Sequence, residues 1–192
     1  MILNDCYVPG GYLNDVDDPG TSVLFPKGEV GRIIYLDTAQ ALRLSKTATG
    51  TLYEGFYQFV KFKSGSSASN ALGQLVFWDS QSAYQVTPDI ADATALGKVA
   101  GVTLNAVTKG NYGWIQISGR ATVKCSGTVT DTTNGDLAIV DQTPANTVNS
   151  LADATTVTGK IAKSIIGSFN EAPANAGSKQ VLLRGLFRNE HR

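Results

Sequence analysis

Histidine and cysteine are almost missing from this chain: its 192 residues include one histidine, His191, and two cysteines, Cys6 and Cys125. His191 stands in Arg188-Asn189-Glu190-His191-Arg192, and a chain end does not hold a general base to the tolerance that catalysis requires. Ser-His-Asp and Cys-His chemistry is therefore not expected, and two cysteines do not supply an ordinary zinc site. Nor do they make a disulfide framework, since a protein made in a reducing cytoplasm keeps its thiols free. Charge is scarce as well, at 17% of residues against roughly a quarter in typical globular domains. Sixteen basic and sixteen acidic side chains cancel, and the isoelectric point lies near 6.6. The positive field that grips phosphates is missing, so no direct nucleic-acid partner is expected. No apolar run reaches the length of about 18 residues that a transmembrane helix needs. Met1-Ile2-Leu3-Asn4-Asp5 also lacks the basic start and apolar stretch of a secretory signal. These features point to a chain made in the cytoplasm, with no membrane partner.

What is plentiful is glycine, 20 residues, within a composition that is 42% hydrophobic. That combination suggests β structure with many turns, in a chain long enough for one good core. Residues 1–29 carry Pro9, Pro19 and Pro26, with Pro9-Gly10-Gly11 and Asn14-Asp15-Val16-Asp17-Asp18-Pro19-Gly20 among them. Such punctuation breaks helices and strands alike, and predicts an extended N-terminal arm, or else an ordinary flexible terminus. From there to residue 192 the pattern predicts a single β domain. Its strands are expected at Val30–Leu36, Gly55–Lys63, Gln74–Trp78, Ala83–Thr87, Val99–Leu104, Gly113–Cys125, Asp136–Val140, Lys160–Ile166 and Gln180–Phe187. Turn residues sit between them, at Gly50, Ser64-Gly65-Ser66-Ser67, Lys109-Gly110-Asn111, Asn134-Gly135-Asp136 and Ala172-Pro173. Short strands at this cadence predict an all-β fold with minor α content, an antiparallel sandwich or barrel. The one helix expected is a turn or two near Asp89–Leu96. Residues 64–72 and 141–159 read as long surface loops, and no segment repeats recognisably.

Alternation along Trp114–Cys125 places Ile115, Ile117, Ala121, Val123 and Cys125 on an inward face. Cys125 is then a small core residue rather than a nucleophile. Gln116, Ser118, Arg120, Thr122 and Lys124 make a solvent-like face that also holds Trp114. This tryptophan either covers a loop of its own domain or anchors an interface. Residues 53–62 hold five of the sixteen aromatic side chains. Phe56, Val60 and Phe62 share one face and Tyr57 and Phe59 the other, as in a central strand buried on both sides or one covered by another subunit. Near the C terminus Val181, Leu183 and Phe187 oppose Leu182 and Leu186, with the same ambiguity.

Motifs that would carry chemistry do not form. Gly97-Lys98 and Gly159-Lys160 are followed by Val99 and Ile161 and lack the spacing of a phosphate-binding loop. Asp15-Val16-Asp17-Asp18-Pro19-Gly20 begins like a calcium loop, but Pro19 replaces a ligand and Pro26 stands where a bidentate Glu belongs. Asp79, Asp89, Asp136 and Asp141 lie in turn-like surroundings that suit solvated loops better than a pair of catalytic carboxylates. No enzyme activity, cofactor or metal is expected.

Gln74-Leu75-Val76-Phe77-Trp78-Asp79, then Tyr84-Gln85-Val86-Thr87, then the run from Lys98 through Val99-Ala100-Gly101-Val102 and Lys109-Gly110-Asn111-Tyr112 to Ile115-Gln116-Ile117-Ser118-Gly119 resembles the capsid decoration, or cement, proteins of tailed bacteriophages. The resemblance covers roughly residues 55–140 and rests on structural rather than catalytic motifs. In this order Gly110-Asn111 supplies a positive-φ turn, and Gly119 permits a bend in a long strand. The resemblance implies a virion protein on the outer surface of the expanded head, bridging neighbouring capsomers against the force of packaged DNA. Its partners would be the major capsid protein and copies of itself, as a homotrimer or a dimer. The residues expected to make those contacts are Tyr7 and Tyr12 in the arm, and Tyr57, Phe59, Trp78, Trp114 and Leu186 in the strands. A competing reading is a β-sandwich binding module, such as a head fibre, tail or glycan-binding protein, with Trp114, Trp78 or Tyr84 stacking on sugar.

Overall fold

The computed structural model describes residues 30–45, 51–65, 71–89, 99–104, 106–125, 134–140, 147–150, 165–171 and 177–186. The arm, with Tyr7 and Tyr12, and the expected helix beyond Asp89 lie outside these residues. Eleven strands and one helix fall within them: β1 (Ile33–Leu36), α1 (Thr38–Ser45), β2 (Gly55–Phe62), β3 (Leu75–Ser80), β4 (Gln85–Thr87), β5 (Val99–Thr103), β6 (Tyr112–Gln116), β7 (Gly119–Cys125), β8 (Leu137–Val140), β9 (Val148–Ser150), β10 (Ile165–Phe169) and β11 (Gly177–Leu183). The fold is all-β, and it closes into barrels.

The first barrel runs from β2 to β6. Strand β2 pairs in parallel with β4, Phe62 beside Val86. β4 pairs antiparallel with β3, Val86 beside Trp78, and β3 with β5, Leu75 beside Val102. β5 joins β6 through Val102 and Gln116, and β6 closes the ring on β2 with Trp114 opposite Phe59. The second barrel repeats this strand for strand. β7 pairs in parallel with β9, Cys125 beside Val148, and β9 with β8, Val148 beside Val140. β8 pairs with β10, Leu137 beside Ser168, β10 with β11, Gly167 beside Leu183, and β11 closes on β7 with Val181 opposite Ala121.

The repetition reaches single residues. The β3–β5 ladder slips by one residue between Val76 and Phe77, and the β8–β10 ladder slips at the matching place, between the Ala138–Gly167 and Ile139–Ile165 pairs. Gly73 N donates to Thr103 O at 2.9 Å and Thr103 N to Gln74 O at 3.0 Å, and these bonds recur from Gly135 N to Phe169 O and from Phe169 N to Asp136 O, both at 2.8 Å. The expectation of no internal repeat is therefore corrected. The repeat is one of backbone pairing, which many apolar side chains satisfy equally well.

Other expectations change with it. The long strand Gly113–Cys125 is two strands: Gly119, at φ +87°, ends the first barrel's path and starts the second's, and Gly185, at φ +92°, follows β11 in the same way. Residues 148–150 form β9 and do not belong to a surface loop. A helix not expected from the sequence pattern occurs at Thr38–Ser45, where Asp37 Oδ1 accepts from Gln40 N at 2.8 Å and Gln40 Oε1 accepts from Asp37 N at 3.0 Å. This reciprocal pair is a capping box, and it starts a helix too short for a hydrophobic period to register.

One core cluster runs through both barrels, from Phe62, Phe77 and Ile115 to Ile117, Val123, Ile166 and Val181. A second cluster packs on the outside of the first barrel: Leu36, Ala41, Leu52, Tyr57, Phe59, Leu104 and Trp114. β1 and α1, which have no counterpart among the described residues of the second barrel, contribute Leu36 and Ala41 to it.

Candidate functional site

The strand residues expected at an interface are all covered by the chain itself. Tyr57, Phe59 and Trp114 are buried in the second cluster, with the Phe59 and Trp114 rings 5.2 Å apart and the Phe59 and Tyr112 rings stacked at 5.8 Å. Tyr57 Oη donates to Tyr53 O at 2.6 Å, and burial raises its pKa above that of a free phenol. Gln116 is buried as well, its Nε2 donating to Arg120 O at 2.6 Å and to Ser118 O at 3.2 Å. The face expected to meet solvent is thus an interior one at Trp114, where Leu36 of β1 and Ala41 of α1 pack, and at Gln116, while Arg120 and Lys124 farther along it are exposed as expected. Trp78 is buried, edge-on to Tyr84 at 6.5 Å, so neither tryptophan has a free face for a sugar. Leu186 lies inward because the strand stops at Leu183 and Gly185, at φ +92°, breaks the alternation, and Leu186 N donates to Ile117 O. In this arrangement these five side chains offer a partner almost no surface. Cys125 lies in the inward row as expected, and burial pushes its thiol up to about 11.

Exposed apolar surface lies elsewhere. Tyr35 (46% exposed) and Leu182 (52%) face a cleft of about 500 Å³ between the barrels. Two cross-strand pairs form its walls: Tyr35 opposite Phe56 on β1–β2, and Arg120 opposite Leu182 on β7–β11. Its floor is the close crossing of Glu54-Gly55 with Ser118-Gly119. A Cβ on Gly55 would lie 2.1 Å from Ser118 O, and one on Gly119 would lie 2.2 Å from Glu54 O. Only glycine lets the two backbones approach so closely.

The polar groups of the cleft are held in place. Glu54 accepts from Tyr35 Oη on one carboxylate oxygen and from Thr38 Oγ1, at 2.7 Å, on the other. The bond from Tyr35 holds the Glu54 carboxyl below its ordinary range, and the same bond raises the Tyr35 phenol. Both groups therefore keep one protonation state through neutral pH. The Arg120 guanidinium lies 5.8 Å from the centre of the Tyr53 ring, and Tyr53 Oη accepts from Gln180 Nε2 at 3.1 Å. Sequence reasoning missed this cleft, since its residues come from four separated segments. Among the described residues no three His, Cys, Asp or Glu side chains gather as metal ligands. Asp79 makes an ion pair with Lys63 at 2.9 Å.

No family model matches the chain, and no curated protein sequence matches it. Among solved structures it is similar to the N base of the head fibre of bacteriophage phi29, with 14% sequence identity and a TM-score of 0.43, over 70% of this chain and 98% of that one.

Proposed function

We propose that the chain is a structural protein of a phage virion, a decoration protein that binds the outer surface of the expanded head and bridges neighbouring capsomers. The observation that carries this reading is the placement of the segment that resembles decoration proteins. Its Val-Phe-Trp-Asp stretch lies in β3, its Gln-Val-Thr in β4, its Ala-Gly-Val in β5 and its Trp-Ile-Gln in β6, with Gly110 at φ +86° in the turn before β6, so the motif order follows consecutive elements of one barrel. The partners are the major capsid protein and other copies of this chain, as a trimer or dimer. Stabilisation needs no catalytic step. Contacts made by one oligomer on several capsomers add through high effective concentration, and binding the assembled lattice alone stabilises that lattice by linkage.

The test is sedimentation with expanded heads that lack the protein. Pelleting that saturates at a fixed copy number per capsomer, and that is absent with unexpanded shells, is expected. No binding to heads of the matching phage would remove the reading. If residues 1–29 supply the grip, a chain beginning at residue 30 will keep its circular dichroism spectrum but bind heads more weakly.

A further inference from the structure

The cleft between the barrels is a feature that decoration does not require. It is lined by Tyr35 of β1 and Thr38 of α1, elements with no counterpart among the described residues of the second barrel, together with residues of both barrels. Its volume is within the range of small-ligand sites, about 300–1,000 Å³. One wall presents the partly exposed rings of Tyr35 and Phe56, 5.0 Å apart and tilted by 50°, and the other presents Leu182 beside Arg120. We propose that this cleft binds a neutral oligosaccharide, with a sugar ring lying on Tyr35 and its hydroxyls shared between Glu54 and Arg120.

The chemistry selects that class on three grounds. A sugar ring has an apolar C–H face and a polar rim, which matches an exposed aromatic ring bordered by charged hydrogen-bonding groups. Hydroxyls both donate and accept, so the carboxylate of Glu54 and the guanidinium donors of Arg120 serve one ligand together. Their opposite charges cancel, so the cleft favours neither an anion nor a cation. The Tyr35 ring is also oriented beforehand, because its hydroxyl and that of Thr38 are both tied to Glu54, which lowers the ordering cost of binding. This inference does not depend on head binding and stands or falls separately from it.

The experiment is saturation-transfer NMR on the full chain with maltotriose, cellotriose and chitotriose as probes. Transfer to at least one of the three is expected, falling at least fivefold in Tyr35→Ala and in Arg120→Ala. Leu42→Ala, an exposed change on α1 outside the cleft, is expected to leave it unchanged. Both cleft substitutions are at exposed side chains, and circular dichroism establishes that the variants fold. No transfer to any of the three sugars, or transfer that survives Tyr35→Ala, would overturn the proposal. A cleft that instead takes an apolar peptide segment would give that negative result.

Discussion

Gly119 shows how much can rest on one missing methyl group. Its backbone holds φ +87°, and a Cβ there would lie 2.2 Å from the Glu54 carbonyl and 2.9 Å from the Gly55 Cα. Both obstacles are main chain, so no rotamer relieves them. Gly119→Ala is expected to lower stability by about 2–4 kcal/mol, combining left-handed backbone strain with a forced backbone shift, as read from urea denaturation. Trp114 makes the opposite case, a large side chain whose value is volume. It is buried, and although its Nε1 finds no hydrogen-bond partner among the described residues, Trp114→Ala is expected to cost about 3–5 kcal/mol. Cys125 is governed by burial too. In a Cys6→Ser background the native thiol should resist a disulfide reagent at pH 8 and react once the chain is unfolded. Its raised pKa means that the folded state holds its proton more tightly than the unfolded state, where the ordinary value is 9.0. The associated stability is complete below pH 9 and is lost as pH rises towards about 11, so the unfolding free energy is expected to decline across that window and to decline less in Cys125→Ala.

At the scale of elements, the helix is the instructive case. Asp37-Thr38-Ala39-Gln40 carries a capping box in plain sight, followed by Ala41-Leu42-Arg43-Leu44, and the reciprocal bonds of Asp37 and Gln40 form as that signature requires. Asp37→Ala is expected to cost about 1 kcal/mol, measured as a lowered thermal midpoint. The larger effect of α1 is indirect: together with β1 it turns the Tyr57, Phe59 and Trp114 face into an interior. Alternation could show that this strand had two apolar faces. It could not show what covered the second one, because the covering segment lies in a different part of the sequence. β9 was hidden for another reason. Three residues, Val148-Asn149-Ser150, are too few to display a period among the Thr and Asn around them.

At the scale of the whole molecule, two barrels of the same topology share one continuous apolar cluster and backbone bonds that cross between them, Lys124 N to Gly73 O at 2.8 Å and Leu186 N to Ile117 O at 2.6 Å. The second barrel's wall is thus built partly against the first. A single cooperative calorimetric transition is expected for the full chain, and two separated transitions would mean that the barrels are energetically independent. The repeat also explains why the cleft occurs where it does. Each barrel presents an outer wall, but among the described residues β1 packs on the first alone, so Tyr35 and Glu54 face Arg120 and Leu182 across the junction.

The amino-acid sequence by itself determined the all-β class, most strand positions, the inward row of Ile115, Ile117, Ala121, Val123 and Cys125, and the turn at Gly110. These follow from local rules, alternation and turn chemistry, that act between residues near one another in the chain. Only the tertiary structure decided that Gly119 divides two barrels, that the second repeats the pairing register of the first, that Trp114 and Leu186 lie inside, and that Tyr35, Glu54, Arg120 and Leu182 share a cleft. The reason is physical. Backbone pairing tolerates many side chains, so a repeated fold leaves a faint mark in sequence, and burial depends on what distant segments cover.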